Sequence, residues 1–129
     1  MTSEMLEVRL TAEGSHQVGQ PINIRMVVSN PTTEPLTFCK YHTPFEGLRN
    51  DIFAVRSAGH ELEYRGAMAK RSAPEPQDYI QVAPGASVEA VIDLSGDYAF
   101  EAGVYEIVYR STIVSGLKAS PPLTLTVAP

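Results

Sequence analysis

The sequence predicts an all-β fold, an antiparallel β-sandwich of seven to nine strands, on three observations. Apolar and polar residues alternate with period 2 along several segments. Turn residues separate these segments at intervals of about 8–14 residues, the spacing of a sandwich or barrel. Ten prolines and nine glycines in 129 residues favour many turns over long helices. Residues 1–129 read as a single domain, since about 150 residues is an ordinary domain length.

Leu6, Val8 and Leu10 alternate with Glu7 and Arg9, giving one apolar and one wet face. After Pro21, Ile22, Ile24, Met26 and Val28 point one way while Asn23 and Arg25 point the other. Asn30-Pro31 ends that strand, because proline lacks a ladder donor and pushes its predecessor into extended space. Leu36 and Phe38 form a short third strand. Lys40 to Asp51 has no clean period and reads as a long loop. Ile52 to Arg56 and His60 to Tyr64 make a hairpin about Ala58-Gly59. A second long loop, Ala67 to Asp78, admits a short helix at Ala67–Arg71 but lacks the length to hold one.

Tyr79 to Val82 and Ser87 to Leu94 flank the turn Ala83-Pro84-Gly85-Ala86, with Val88, Ala90, Ile92 and Leu94 inward. Asp97 to Phe100 is a connector with room for one helical turn. Tyr105, Ile107 and Tyr109 share one face of the next strand, and Leu123, Leu125 and Val127 carry the last. Uneven strand lengths and the two long loops favour a sandwich over a barrel. Tyr105, two residues after Gly103 at the start of a late strand, resembles the tyrosine corner of immunoglobulin-like domains. On that reading the sandwich is immunoglobulin-like and the hydroxyl bonds backbone between Asp97 and Ala102; the alternative is a plain strand tyrosine. A core tryptophan and a cysteine pair are missing, which sets the chain apart from antibody domains.

A hydrophobic fraction of 43% with 19% charged residues is globular. A net charge of −5 argues against nucleic acid as a partner and against an anionic membrane surface. No apolar run is long enough for a transmembrane helix, so membrane insertion is not expected. No signal peptide follows Met1. The sequence is compatible with a cytoplasmic chain and with a secreted one whose signal has been removed. One cysteine, Cys39, rules out an intrachain disulfide.

The chemistry-bearing residues read as non-catalytic, and no metal or cofactor is expected. His16 sits in a Gly/Ser turn and is expected to face solvent. His60-Glu61 starts like a zincin motif, but Tyr64 stands where the second histidine would be. Cys39 and His42 lie three apart at a strand end, which points them to opposite faces, so Cys39 reads as inert. The glycines are isolated turn residues, and none opens a helix as phosphate binding requires.

A series of segments carries a resemblance over nearly the whole chain. These are Val28-Ser29-Asn30-Pro31, Tyr41-His42-Thr43-Pro44-Phe45-Glu46-Gly47-Leu48, Asn50-Asp51-Ile52-Phe53-Ala54-Val55, Tyr64-Arg65-Gly66 and Lys70-Arg71, then Val82 to Val88, Ile92 to Tyr98, and Gly103-Val104-Tyr105. In this order they resemble the N-terminal, non-catalytic region of deuterolysin-type zinc endopeptidases, especially the peptidyl-Lys metalloendopeptidase branch. The resemblance implies a propeptide-like domain that assists folding of a metallopeptidase and inhibits it. The zinc-binding HExxH helix of that family is absent from the sequence, so the resemblance carries over no protease activity. An isolated prodomain and a free-standing inhibitor both fit, the latter similar in idea to small bacterial β-sandwich proteinase inhibitors. A generic immunoglobulin-like scaffold or adhesion module with an unrelated protein partner is the alternative.

A partner surface is expected on the two long loops, since sandwich ends carry function while strands fix the scaffold. In the first, Tyr41, His42, Phe45, Glu46 and Arg49 supply aromatic area and charge. In the second, Lys70 and Arg71 form a basic pair that a Lys-directed protease could engage. The competing reading makes Tyr41 and Phe45 hydrophobic caps on the sandwich.

Overall fold

A computed structural model describes residues 5–70 and 72–129. Among them run ten strands: β1 (Glu7–Thr11), β2 (His16–Gln17), β3 (Asn23–Ser29), β4 (Leu36–Cys39), β5 (Phe53–Ser57), β6 (His60–Glu61), β7 (Tyr79–Val82), β8 (Ser87–Asp93), β9 (Gly103–Tyr109) and β10 (Leu123–Ala128). The fold is all-β and sandwich-like. The count exceeds the expected seven to nine by the two-residue β2, read from the sequence as a turn, and β6 is shorter than the expected His60 to Tyr64. Ala67 to Lys70 is not helical; the described helical element is a 3-10 turn at Pro76–Asp78.

One sheet has the order β1-β3-β8 and a second the order β2-β10-β9-β5-β6, while β4 and β7 form a two-stranded ladder. Pairing is antiparallel except for β2, which runs parallel to β10. Register places like with like. Val8 faces Val28, Leu10 faces Met26 and Ile24 faces Ile92 in the first sheet. Tyr105 faces Leu125, Val55 faces Ile107 and Phe53 faces Tyr109 in the second. Strands β1, β9 and β10 bury alternate side chains and β5 buries Phe53, Ala54 and Val55 in a row, so the inward faces of both sheets meet in a core that also takes Leu36, Phe38 and Val82 from the ladder. Of the residues expected inward, Val8, Ile24, Met26, Phe38, Phe53, Val55, Ile92, Tyr105, Ile107 and Leu125 are buried, while Val88, Ala90 and Leu123 are half-buried. Strand β3 departs from strict alternation: Val27, between Arg9 and Glu89 on the outer face of this central strand, is buried as well.

One tight turn and one contact between loops fix the chain around the strands. Ala58 and Gly59, both with positive φ (52° and 79°), close the β5–β6 hairpin in the two-residue geometry that matches strand twist. The segments Tyr64-Arg65-Gly66 and Asp97-Tyr98 meet where the Arg65 amide donates to the Asp97 carbonyl at 2.8 Å and the Tyr64 and Tyr98 rings lie 5.6 Å apart. A Cβ on Gly66 would lie 2.4 Å from the Asp97 carboxylate and 2.5 Å from the Tyr64 hydroxyl, so a larger residue would displace these side chains.

The Tyr105 hydroxyl accepts from the Glu101 amide at 2.8 Å and donates to the Glu101 carbonyl at 3.0 Å, satisfying both backbone groups of one residue. The Gly103-to-Tyr105 spacing therefore builds the backbone bond expected of a corner. Tyr105→Phe is expected to cost about 1–2 kcal/mol, the scale of a lost buried hydrogen bond with its partner left unpaired. An unchanged urea midpoint would reduce Tyr105 to a strand side chain.

Candidate functional site

Three loops meet at one end of the sandwich, held by hydrogen bonds between distant parts of the chain. The Cys39 amide donates to the Ser115 carbonyl, and the Tyr109 hydroxyl donates to the His42 carbonyl at 2.7 Å while bonding the Ser115 hydroxyl at 3.0 Å. The Ala69 amide donates to the Arg49 carbonyl at 2.9 Å. Loop 40–52 is thus tied to loop 110–122 on one side and to loop 62–75 on the other.

Loop 40–52 is internally wired. Buried Thr43 donates its hydroxyl to the Lys40 carbonyl at 2.6 Å and accepts the Phe45 amide at 3.1 Å. His42 adopts positive φ (61°), and its amide donates to the Glu46 carboxylate at 2.8 Å. The Gly47 amide closes a turn on the Pro44 carbonyl, and the Arg49 guanidinium donates to the Glu46 carbonyl at 3.1 Å.

Of the expected interface residues, Tyr41 and Phe45 face inward in part. The Tyr41 hydroxyl donates to Asp78 at 2.8 Å, and the Phe45 ring sits edge-on to Phe38 with centroids 5.2 Å apart. Both rings are half-buried. Glu46 and His42 are also half-buried, whereas Arg49 and Lys70 are exposed. Arg71 lies outside the described residues. The structure therefore gathers Tyr41, His42, Phe45, Glu46 and Arg49 in one loop, with Lys70 next to Ala69 on its neighbour.

Asp78 organises the base of this end. Its carboxylate accepts the Glu75 amide at 2.9 Å and the Tyr41 hydroxyl, lies 3.7 Å from the Lys40 ammonium, and its backbone carbonyl accepts the Lys40 amide. The Glu75 amide above all, then the Tyr41 hydroxyl and the Lys40 charge, hold its carboxyl below the usual range. Cys39 is buried beside it. Burial pushes its thiol up, and the carboxylates of Asp78 and Glu46 add to this against the opposing Tyr41 amide and Lys40 charge. A nucleophilic cysteine needs the opposite environment.

The other two histidines lie in strand ladders. His16 is only 8% exposed, contrary to the expected solvent-facing turn, because the segment after Ser15 pairs with Val127 as strand β2. Exposed His60 pairs with Ser57 in the hairpin, and Glu61 bridges to Arg56 at 3.3 Å and to Arg110. Among the described residues, no three His, Cys, Asp or Glu side chains converge in a way that could hold a metal ion. No described helix is long and apolar enough to cross a membrane.

Sequence reasoning passed over loop 110–122. Ile113 at its tip is fully exposed and Val114 beside it is 41% exposed. Two adjacent β-branched apolar residues in an otherwise Ser/Thr/Gly turn, Ser111 to Gly116, were the available signal.

No protein-family model matches the chain. It is similar to an extracellular protease of Aeromonas hydrophila, with 32% identity over 107 residues, covering 81% of this chain and 30% of that protein. It is also similar to a neutral protease 2 homolog of Uncinocarpus reesii, with 26% identity over 129 residues, covering 98% of this chain and 34% of that protein. The chain spans about a third of the length of each of these relatives. The likeness is to a protease-associated region.

Proposed function

We propose that residues 1–129 form a non-catalytic, propeptide-like domain that binds a zinc metalloendopeptidase of the deuterolysin type and inhibits it or assists its folding. The observation that carries this reading is the pair of protease likenesses, each confined to about a third of the relative. The described residues support the non-catalytic part. The lone thiol is buried and pushed up, and the histidines serve ladders and turns rather than a cleft.

Sheet topology supports the immunoglobulin-like part of the reading. If β1, β3 and β8 take the roles of strands A, B and E, the second sheet reads A′-G-F-C-C′, with β2 as the short parallel partner of β10. Such scaffolds present loops at their ends, and the end described above brings three loops together. Exposed Arg49 and Lys70 would lie at the polar rim of a contact there.

The test is inhibition. The purified chain is mixed with the part of the Aeromonas hydrophila extracellular protease outside the matched third, and peptide hydrolysis is measured. Loss of activity at micromolar concentrations of the chain is expected. Full activity, together with no gain in the yield of refolded enzyme, would overturn the reading.

A further inference from the structure

From the geometry of the β9–β10 loop, we infer that the tip Ile113-Val114 is the element that docks into the protease cleft, with Ile113 as its anchor. This rests on the protease-binding reading above and deepens it by naming the surface.

The tip is apolar, exposed and held in one shape. The Gly116 amide donates to the Thr112 carbonyl at 3.1 Å, and the Ser115 amide to the Thr112 hydroxyl at 3.2 Å. Ser115, itself buried, joins the turn to the sandwich: its hydroxyl meets Thr112, the Tyr109 hydroxyl and the Leu117 amide, and its carbonyl accepts the Cys39 amide. Below the tip, Leu117 is buried in the core, and the Ser111 hydroxyl donates to the Leu117 carbonyl at 2.9 Å.

A side chain as large as isoleucine left wholly in water on so constrained a turn gains nothing for folding. It is suited to binding, since a loop already fixed in its bound shape loses little entropy on association. Ile113 stands wholly in solvent on a loop tip that is uncharged from Ser111 to Leu117, so its complement is a concave, apolar-lined site. A peptidase cleft has that form, and the relatives of this chain are proteases of which it accounts for about a third. Loop 40–52 is less suited to the anchor role, because Tyr41 and Phe45 spend part of their surface on Asp78 and Phe38.

The experiment measures the dissociation constant between the full chain and the part of the Aeromonas hydrophila extracellular protease outside the matched third. Wild type is compared with Ile113→Asp, Ile113→Ser and Val91→Asp. Val91 is an exposed apolar residue of β8 and serves as the control. Because Ile113 touches solvent on all sides, its variants should keep the wild-type unfolding midpoint. Ile113→Asp is expected to weaken binding by about tenfold or more, the effect of losing an interface anchor, and Ile113→Ser to weaken it less. Val91→Asp should bind as wild type does. Wild-type binding that survives both Ile113 changes in folded protein would overturn the docking tip and leave the protease-binding reading standing. No wild-type binding would overturn both. Association with phosphatidylcholine vesicles that depends on Ile113, without any protease complex, would also overturn the assignment.

Discussion

Raising the pH from about 9 to about 12 is expected to remove several kcal/mol of folding stability, most of it through Tyr98 and Tyr109. Tyr109 is fully buried, with its hydroxyl engaged by His42 and Ser115. Burial above all pushes its pKa up to about 12, from 10.0. Tyr98 is 2% exposed and donates to the Phe53 carbonyl at 3.3 Å; burial, reinforced by the Asp51 carboxylate, pushes it higher still. The sign follows from proton counts. Above about pH 10 the unfolded chain has released these protons while the folded chain keeps them, so each further pH unit costs about 1.4 kcal/mol per tyrosine. The stabilisation is complete below pH 10 and is lost as pH rises towards the folded values. Tyr64 is raised in the same direction, by burial first and then by Asp97 and Asp51.

Urea midpoints across this range, with tyrosinate absorbance as the second probe, measure the effect. In folded protein Tyr98 and Tyr109 should ionise only above the ordinary tyrosine range. Tyr109→Phe lowers stability at neutral pH by removing the hydroxyl that joins two loops. It should also flatten the alkaline slope by about one proton, and that change in slope separates burial of the ring from ordinary packing loss. An unchanged slope in both Tyr109→Phe and Tyr98→Phe would mean that neither hydroxyl is shielded from water.

The strands were legible because each writes its burial into its own neighbours. Val8, Ile24, Met26, Ile92 and Tyr105 follow from period 2 alone, and Ala58-Gly59 marks its hairpin within two residues. What could not be read joins residues far apart in the chain. Tyr41 meets Asp78 across 37 positions and His42 meets Tyr109 across 67, so nothing local to Lys40–Asp51 shows that its aromatic residues are already engaged. His16 reads as a turn residue because its ladder partner, Val127, lies at the other end of the sequence. Loop 110–122 lacks a period, and its fixed shape depends on Tyr109 and Cys39, which belong to other elements. The loop end, the part of the fold closest to function, is therefore the part that tertiary contacts rather than patterning define.

Asn30→Asp is expected to be the most damaging change of similar size in the first sheet, costing about 3 kcal/mol or more at pH 7. Asn30 is 1% exposed at the end of β3 and uses its full side-chain capacity. Its amide group donates to the Glu34 carbonyl at 2.7 Å and to the Val82 carbonyl at 2.9 Å, and its oxygen accepts from the Thr32 amide and hydroxyl. The backbone adds two bonds to the next turn, to Ala86 and from Gly85. One residue thus joins β3 to the approach to β4 and to the β7–β8 turn, which explains the strand break at Asn30-Pro31 better than proline alone does. A carboxylate keeps the acceptor but loses both donors, and it faces two carbonyls in a dry site. Asn30→Ala removes the same bonds without adding charge and should cost less, roughly 2–3 kcal/mol. The two variants separate by pH. An introduced carboxyl buried among carbonyls has a raised pKa, so its neutral form, favoured as pH falls towards about 4, regains one donor and part of the stability. Asn30→Ala should show no such recovery. Urea unfolding of both variants at pH 4 and pH 7 measures this, and an aspartate variant no weaker than the alanine one at pH 7 would show that water reaches the site.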